Sequence, residues 1–96
     1  MKLNNNLRML DIDDLIFMTM KLEGHQFYAI SLRLGVTQPA LSMRKQKIET
    51  HLGPGIFVRK GRNINLTEIG ARLATSCRFA LKSLDAGTRE AEKVVG

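Results

Sequence analysis

Between Gly35 and Leu66 the chain carries Arg44, Lys45, Lys47, Arg59, Lys60 and Arg62 against a single carboxylate, Glu49, a local charge of +5. The flanks are nearly neutral. Residues 1–34 hold four cations and four anions, and residues 67–96 hold five and four. Almost the whole net charge of +6 therefore sits in the middle third. Guanidinium and ammonium groups gathered in this way bind phosphates and other polyanions, most often nucleic acid. An excess confined to one segment marks a surface rather than a general aid to solubility. Arg59, Lys60 and Arg62 also flank Gly61, and guanidinium groups on a tight turn suit phosphates and narrow minor grooves.

Other chemistries find little to work with. The 96 residues make one small domain, or one domain with an appendage, and 44% hydrophobic residues suffice for a modest core. Aromatics are 5% and tryptophan is absent, which argues against a carbohydrate cleft or a wall of stacked bases. The longest apolar run, Leu15-Ile16-Phe17-Met18, is far too short for a membrane span or a signal-peptide core. Cys77 is alone and cannot form an internal disulfide, and with no export signal the chain reads as cytoplasmic. His25, His51 and Cys77 are too widely spaced for a structural zinc site, so neither metal nor cofactor is expected. The histidines have no evident nucleophile or acid partner, and there is no phosphate-cradling glycine loop. An enzyme is not expected.

The elements that must hold the cations can be read from their punctuation. Asp11 is a plausible N-cap, and Asp13 and Asp14 follow in the favoured first turn. Leu15, Met18 and Leu22 give that helix an apolar stripe, and Glu23-Gly24-His25 ends it. The first six residues, with Asn4-Asn5-Asn6, read as a loose lead-in. A second helix is expected over Phe27 to Leu34, stopped by Gly35 in a left-handed conformation. Thr37 then caps a third helix with Pro39 in its first turn, running to Leu52 before Gly53-Pro54-Gly55. Two helices joined by Gly35-Val36-Thr37 form a helix-turn-helix, with the third helix in the recognition position. The runs on either side of Lys60-Gly61-Arg62-Asn63 read as a hairpin wing. Thr67-Glu68-Ile69-Gly70 starts a long helix to about Val94.

The stretch Leu34-Gly35-Val36-Thr37-Gln38-Pro39-Ala40-Leu41-Ser42 resembles the helix-turn-helix core of LysR-type transcriptional regulators. So do Ile48-Glu49 through Leu52-Gly53, the wing Ile56-Phe57-Val58-Arg59-Lys60-Gly61-Arg62, and the junction Leu66-Thr67-Glu68-Ile69-Gly70. Match and spacing hold from about Leu15 to Leu84. Four features depart from the family pattern: Ile30-Ser31 replace two alanines, Met43 an arginine, Lys45 an aliphatic residue and Gly55 a proline. The resemblance implies a mainly α winged helix-turn-helix over residues 1–66 that binds double-stranded DNA, and a linker helix over residues 67–96 that pairs antiparallel with its twin. It implies an interrupted palindrome as the DNA site and higher oligomers in a full-length form. Family members continue into a periplasmic-binding-protein-like domain that takes a small-molecule effector. This chain stops where that domain would begin, and the expectation is a truncated piece of a longer regulator.

At 100° per residue, Leu41, Ile48 and Leu52 of the third helix lie within roughly 20° of one inward direction. Pro39, Met43, Gln46 and Thr50 lie opposite, with Ala40, Ser42 and Lys47 on the flanks. The expected base contacts are Gln38, whose amide fits an adenine edge, with Ser42 as donor or acceptor and Pro39, Ala40 and Met43 against thymine methyls. Without an arginine at Met43, A·T-leaning reading is expected there. The expected phosphate and wing contacts are Thr37, Arg44, Lys47, Arg59, Lys60, Arg62 and Asn63. Arg59 has a second reading as a residue tied into the fold. Lys45, near the inward direction, reads as a snorkelling lysine whose stem packs.

In the last helix Cys77, Ala80, Leu84, Gly87, Ala91 and Val94 follow 3, 4, 3, 4, 3 spacing, with Leu73 four before Cys77, a seam for a partner helix. Leu73, Cys77, Ala80, Leu81, Leu84 and Ala91 are the expected dimer residues, with Cys77 itself read as packing. The alternative from a different class is a protein–protein module that pairs through this seam with a full-length regulator and inhibits it. For a DNA-binding dimer that neutralises about six to ten phosphates, log K falls against log salt with a slope near −5 to −9.

Overall fold

The computed structural model describes residues 1–95; Gly96, the last residue assigned to the linker helix, lies outside the described residues. Four helices and a hairpin follow in the order α1 (Ile12–Leu22), α2 (Phe27–Leu34), α3 (Gln38–Leu52), β1 (Phe57–Lys60), β2 (Asn63–Leu66) and α4 (Glu68–Val95). The fold is the mainly helical winged helix-turn-helix with a long C-terminal helix that the sequence predicts.

Each boundary has a local cause. The Asp11 carboxylate accepts the Asp14 amide at 2.8 Å, while the Asp14 carboxylate accepts the Asp11 amide at 3.0 Å. This reciprocal capping box starts α1. Gly35 stops α2 at φ 67° and ψ 34°, the left-handed region that only glycine enters freely. Two residues later the Thr37 hydroxyl accepts the Ala40 amide at 3.2 Å and caps α3, with Pro39 in the first turn. At α4 the predicted first residue, Thr67, is instead the cap: its hydroxyl accepts the Gly70 amide at 3.0 Å. The hairpin pairs Phe57 with Leu66 and Lys60 with Asn63, which leaves Gly61-Arg62 as a two-residue loop. Gly61 has φ +62° and Arg62 does not enter positive φ, as a type II′ turn requires.

Phe17 is the centre of the core. Its ring meets Phe27 of α2 edge-on at 5.7 Å between centroids and Phe57 of β1 at 5.9 Å. Met18, Ile30, Leu41, Ile48, Ile56, Ala74 and Cys77 are buried with it, so every helix and the wing contribute. Removing a phenylalanine from such a site costs about 3–5 kcal/mol. The buried side of α1 differs from the expected Leu15-Met18-Leu22 stripe. It consists of Asp14, Phe17, Met18 and Lys21, with Leu15 and Leu22 only half-buried. Packing on both α2 and α4 turns this wider face inward.

Lys21 reaches the α1–α2 corner, where its ammonium donates to the His25 carbonyl at 3.1 Å and the Gln26 side-chain oxygen at 3.4 Å. Burial lowers its pKa. The lead-in is not loose either: Asn5–Met9 form a 3-10 turn capped by Asn4, and Met9 and Leu10 pack against the core.

Candidate nucleic-acid interface

The start of α3 and the wing meet along one cleft. Gln38 and Ser42 line it from α3, and Arg59, Arg62, Asn63 and Ile64 line it from the hairpin. Gln26, Phe27 and Tyr28, at the beginning of α2, close its third side. Five residues predicted from sequence as contacts are thus brought to one place. Tyr28, which the sequence reading missed, is exposed beside them. Only its position at the exposed start of α2 hinted at this.

Gln38, Pro39, Ser42 and Met43 are all exposed, Met43 at 70%, and Ala40 is half-buried. Leu41 and Ile48 are fully buried on the opposite side of the helix. The outward edge of α3, Pro39, Met43, Gln46 and Thr50, carries no charge. Thr37 is exposed, and its hydroxyl oxygen is engaged in the cap already described. Arg59, Lys60, Arg62 and Asn63 are exposed. No carboxylate lies within ion-pairing distance of the three wing cations among the described residues.

Arg44 and Lys47 are placed differently from the sequence reading, which assigns them to phosphate. The Arg44 Nη1 donates to Asp11 Oδ1 at 2.8 Å and to Asp14 Oδ1 at 2.9 Å, and its Nη2 lies 3.4 Å from Asp13 Oδ2. The Lys47 ammonium donates to Asp14 Oδ2 at 2.6 Å. Both cations are therefore directed onto the N-terminus of α1. Burial favours the neutral form of Asp11, but the Asp14 amide and the Arg44 and Lys47 charges outweigh it and hold the carboxyl below its usual range. Burial likewise opposes the charge on Arg44, and its bonds to Asp14 and Asp11 more than compensate. Lys45 snorkels as expected: its stem is half-buried, its ammonium lies 5.6 Å from the Phe57 ring centroid, and it pairs with Glu49. Half of the six cations in the basic segment are thus neutralised inside the fold, and the wing carries the rest.

The seam on α4 also divides. Cys77 is buried and Leu73 half-buried against the chain's own core, so these two do not belong to a free dimer surface. Burial, reinforced by the Asp14 charge, pushes the Cys77 thiol up to about 11. Ala80 and Leu81 are half-buried, whereas Leu84 and Ala91 are exposed, as is every residue from Lys82 to Val94. Phe79, absent from the predicted seam, is 77% exposed.

Among the described residues no group of histidine, cysteine and carboxylate side chains could hold a metal ion, and no helix is long and apolar enough to cross a membrane.

Comparison with known proteins agrees with this geometry. The family model for bacterial regulatory helix-turn-helix proteins of the lysR family matches residues 20–71. An HTH-type transcriptional regulator of Xanthomonas campestris pv. campestris is 33% identical over 86 residues, which cover 90% of this chain and 24% of that protein. The regulator IlvR of Caulobacter vibrioides is 41% identical over 54 residues, 56% of this chain and 18% of that protein. This chain thus spans no more than about a quarter of such relatives. Among solved structures, the BenM DNA-binding domain in complex with catB site 1 DNA superposes with TM-score 0.79 at 21% identity, over 91% of this chain and 98% of that one. Full-length CbnR complexed with its target DNA superposes with TM-score 0.69 at 26% identity, over 85% and 29%. The chain belongs to the LysR family of bacterial regulatory helix-turn-helix proteins.

Proposed function

We propose that this chain binds double-stranded DNA sequence-specifically, as the DNA-binding part of a LysR-type transcription regulator. α3 enters the major groove with Gln38, Pro39, Ala40, Ser42 and Met43 toward base edges. The wing lies on the flanking minor groove with Arg59, Lys60, Arg62 and Asn63. The observation that carries this reading is the shared cleft, in which exposed polar groups of α3 stand beside two wing arginines that no carboxylate among the described residues neutralises. Residues 1–66 form the reading unit. Residues 67–96 are the linker segment, and the exposed stripe of its helix α4 through Leu84 and Ala91 pairs with a second copy, with Ala80 and Leu81 at its edge. Two copies then read two halves of an interrupted palindrome.

Selection of bound sites from random DNA, followed by a salt titration on the selected site, tests the proposal. With three available wing cations per protomer, a dimer displaces counterions from about six phosphates, and log K falls against log salt with slope near −5. An enriched two-fold-related motif with that slope is the expected result. No enrichment, with a slope near zero, overturns the reading.

A further inference from the structure

We propose that Asp14 is a positioning residue for DNA reading: it holds Lys47 and Arg44 away from the phosphates, so that α3 meets DNA with an uncharged edge. This rests on the DNA-binding reading above. Asp14 is 0% exposed, yet it is a carboxyl side chain in the first turn of a helix. Both carboxylate oxygens are used. Oδ1 accepts from Arg44, and Oδ2 accepts from Lys47 and from the Asp11 amide. Among the described residues no buried side-chain polar atom lacks a partner, so the cluster is satisfied in full.

A buried ion pair is weak evidence for added stability, because desolvation offsets the attraction. Its better-supported use is to fix one arrangement among several of similar energy, and the geometry at α3 suits that use. Arg44 and Lys47 are three residues apart, neighbours on one flank of the helix. On the other flank Lys45 reaches the Phe57 ring of β1, while its ion pair with Glu49 lies within α3 itself. Rolling α3 about its axis would therefore break the charged bonds of Arg44 and Lys47 to the start of α1. Its rotation sets which side chains face the groove. The same bonds remove two cations from the sequence-independent attraction to phosphate, which raises the share of binding that base contacts decide.

The test is a salt titration of four versions of this 96-residue chain on a selected site and on random duplex. The Asn of Asp14→Asn is close in shape, and its side-chain oxygen can still accept the Asp11 amide. The substitution releases Lys47, which among the described residues is ion-paired with Asp14 alone, while Arg44 keeps Asp11. The expected results are a slope steeper by about 0.9 per protomer and a smaller ratio of specific to random affinity. Lys47→Gln alone is expected to leave the slope of the native chain unchanged. Asp14→Asn combined with Lys47→Gln is expected to return the slope to the native value. Simple loss of folding would lower affinity without steepening the slope. If Asp14→Asn does not fold, Lys47→Gln decides by itself, because a slope shallower by about 0.9 per protomer shows that Lys47 touches phosphate and overturns the proposal. An unchanged slope in folded Asp14→Asn overturns it as well, while leaving the DNA-binding reading intact. A native slope near zero overturns both.

Discussion

Gly70 of α4 lies against Ile56 at the root of the wing, and replacing it with alanine probes the packing that joins them. A Cβ at this position would overlap the Ile56 carbonyl and press on Leu66. That carbonyl cannot withdraw freely, because it accepts the Thr67 amide at 3.0 Å and the Thr67 hydroxyl at 3.2 Å. Overpacking against well-packed groups costs about 1–3 kcal/mol. Displacing the carbonyl forfeits up to two hydrogen bonds at about 1 kcal/mol each. Against this, alanine is favoured over glycine inside a helix by about 1 kcal/mol. The net expectation for Gly70→Ala is a loss of about 2 kcal/mol. Gly87 is the comparison within the same helix: nothing of its own chain lies within 4 Å of its virtual Cβ, although it falls on the stripe read as the partner seam. Gly87→Ala should therefore gain about 1 kcal/mol. Urea unfolding of both variants at one protein concentration reads the difference as opposite shifts in midpoint at constant m. A melting point lower by roughly 4–8 °C per kcal/mol accompanies the loss. If Gly70→Ala is as stable as the native chain, the contact between α4 and the root of the wing is not as described.

Three further predictions follow from the site and its supports. Cys77 should react very slowly with iodoacetamide at pH 7 in the folded protein and rapidly in urea, since burial hides it and pushes its thiol up to about 11; equal rates in both states would place it at the surface. Asp11 has its folded pKa depressed below 3.8, so its contribution to stability is present above the unfolded value and is lost as pH falls through the folded one. Native protein should then lose more stability than Asp11→Asn on acidification below about pH 4, and parallel acid-denaturation curves would refute this. Leu84→Glu puts a carboxylate on the exposed stripe of α4 and should weaken self-association about tenfold or more, a change of about 1.4 kcal/mol; sedimentation identical to that of the native chain would remove Leu84 from the interface.

The features that were legible in the sequence are those whose cause lies within one helical turn. Thr37 caps α3 through an amide three residues away, Gly35 supplies its own conformation, and the wing loop needs only Gly61 and its neighbours. The Asp14 cluster was not legible, because its partners Arg44 and Lys47 lie 30 and 33 positions away. Asp11 was recognised as a cap, but nothing local reveals that its carboxylate also holds Arg44. Arg44 and Lys47 therefore read as free cations, whereas the fold pairs both with carboxylates at the start of α1. Leu73 and Cys77 show a second limit. Heptad-like spacing looks the same whether a helix covers its own domain or a partner, and only the position of the core along α4 separates the two.

From Lys82 onward α4 leaves the body of the protein, and its last 14 described residues extend about 20 Å without support from the rest of the chain. A projecting rod of that length is a lever. A change of about 10° in its direction moves its far end by about 3.5 Å, close to the 3.4 Å rise of one base pair. Gly87, the weakest helix former along the lever, is the point of least stiffness. In a pair joined through these rods, the tolerated distance between half-sites becomes a mechanical property of α4, and stiffening Gly87 narrows it.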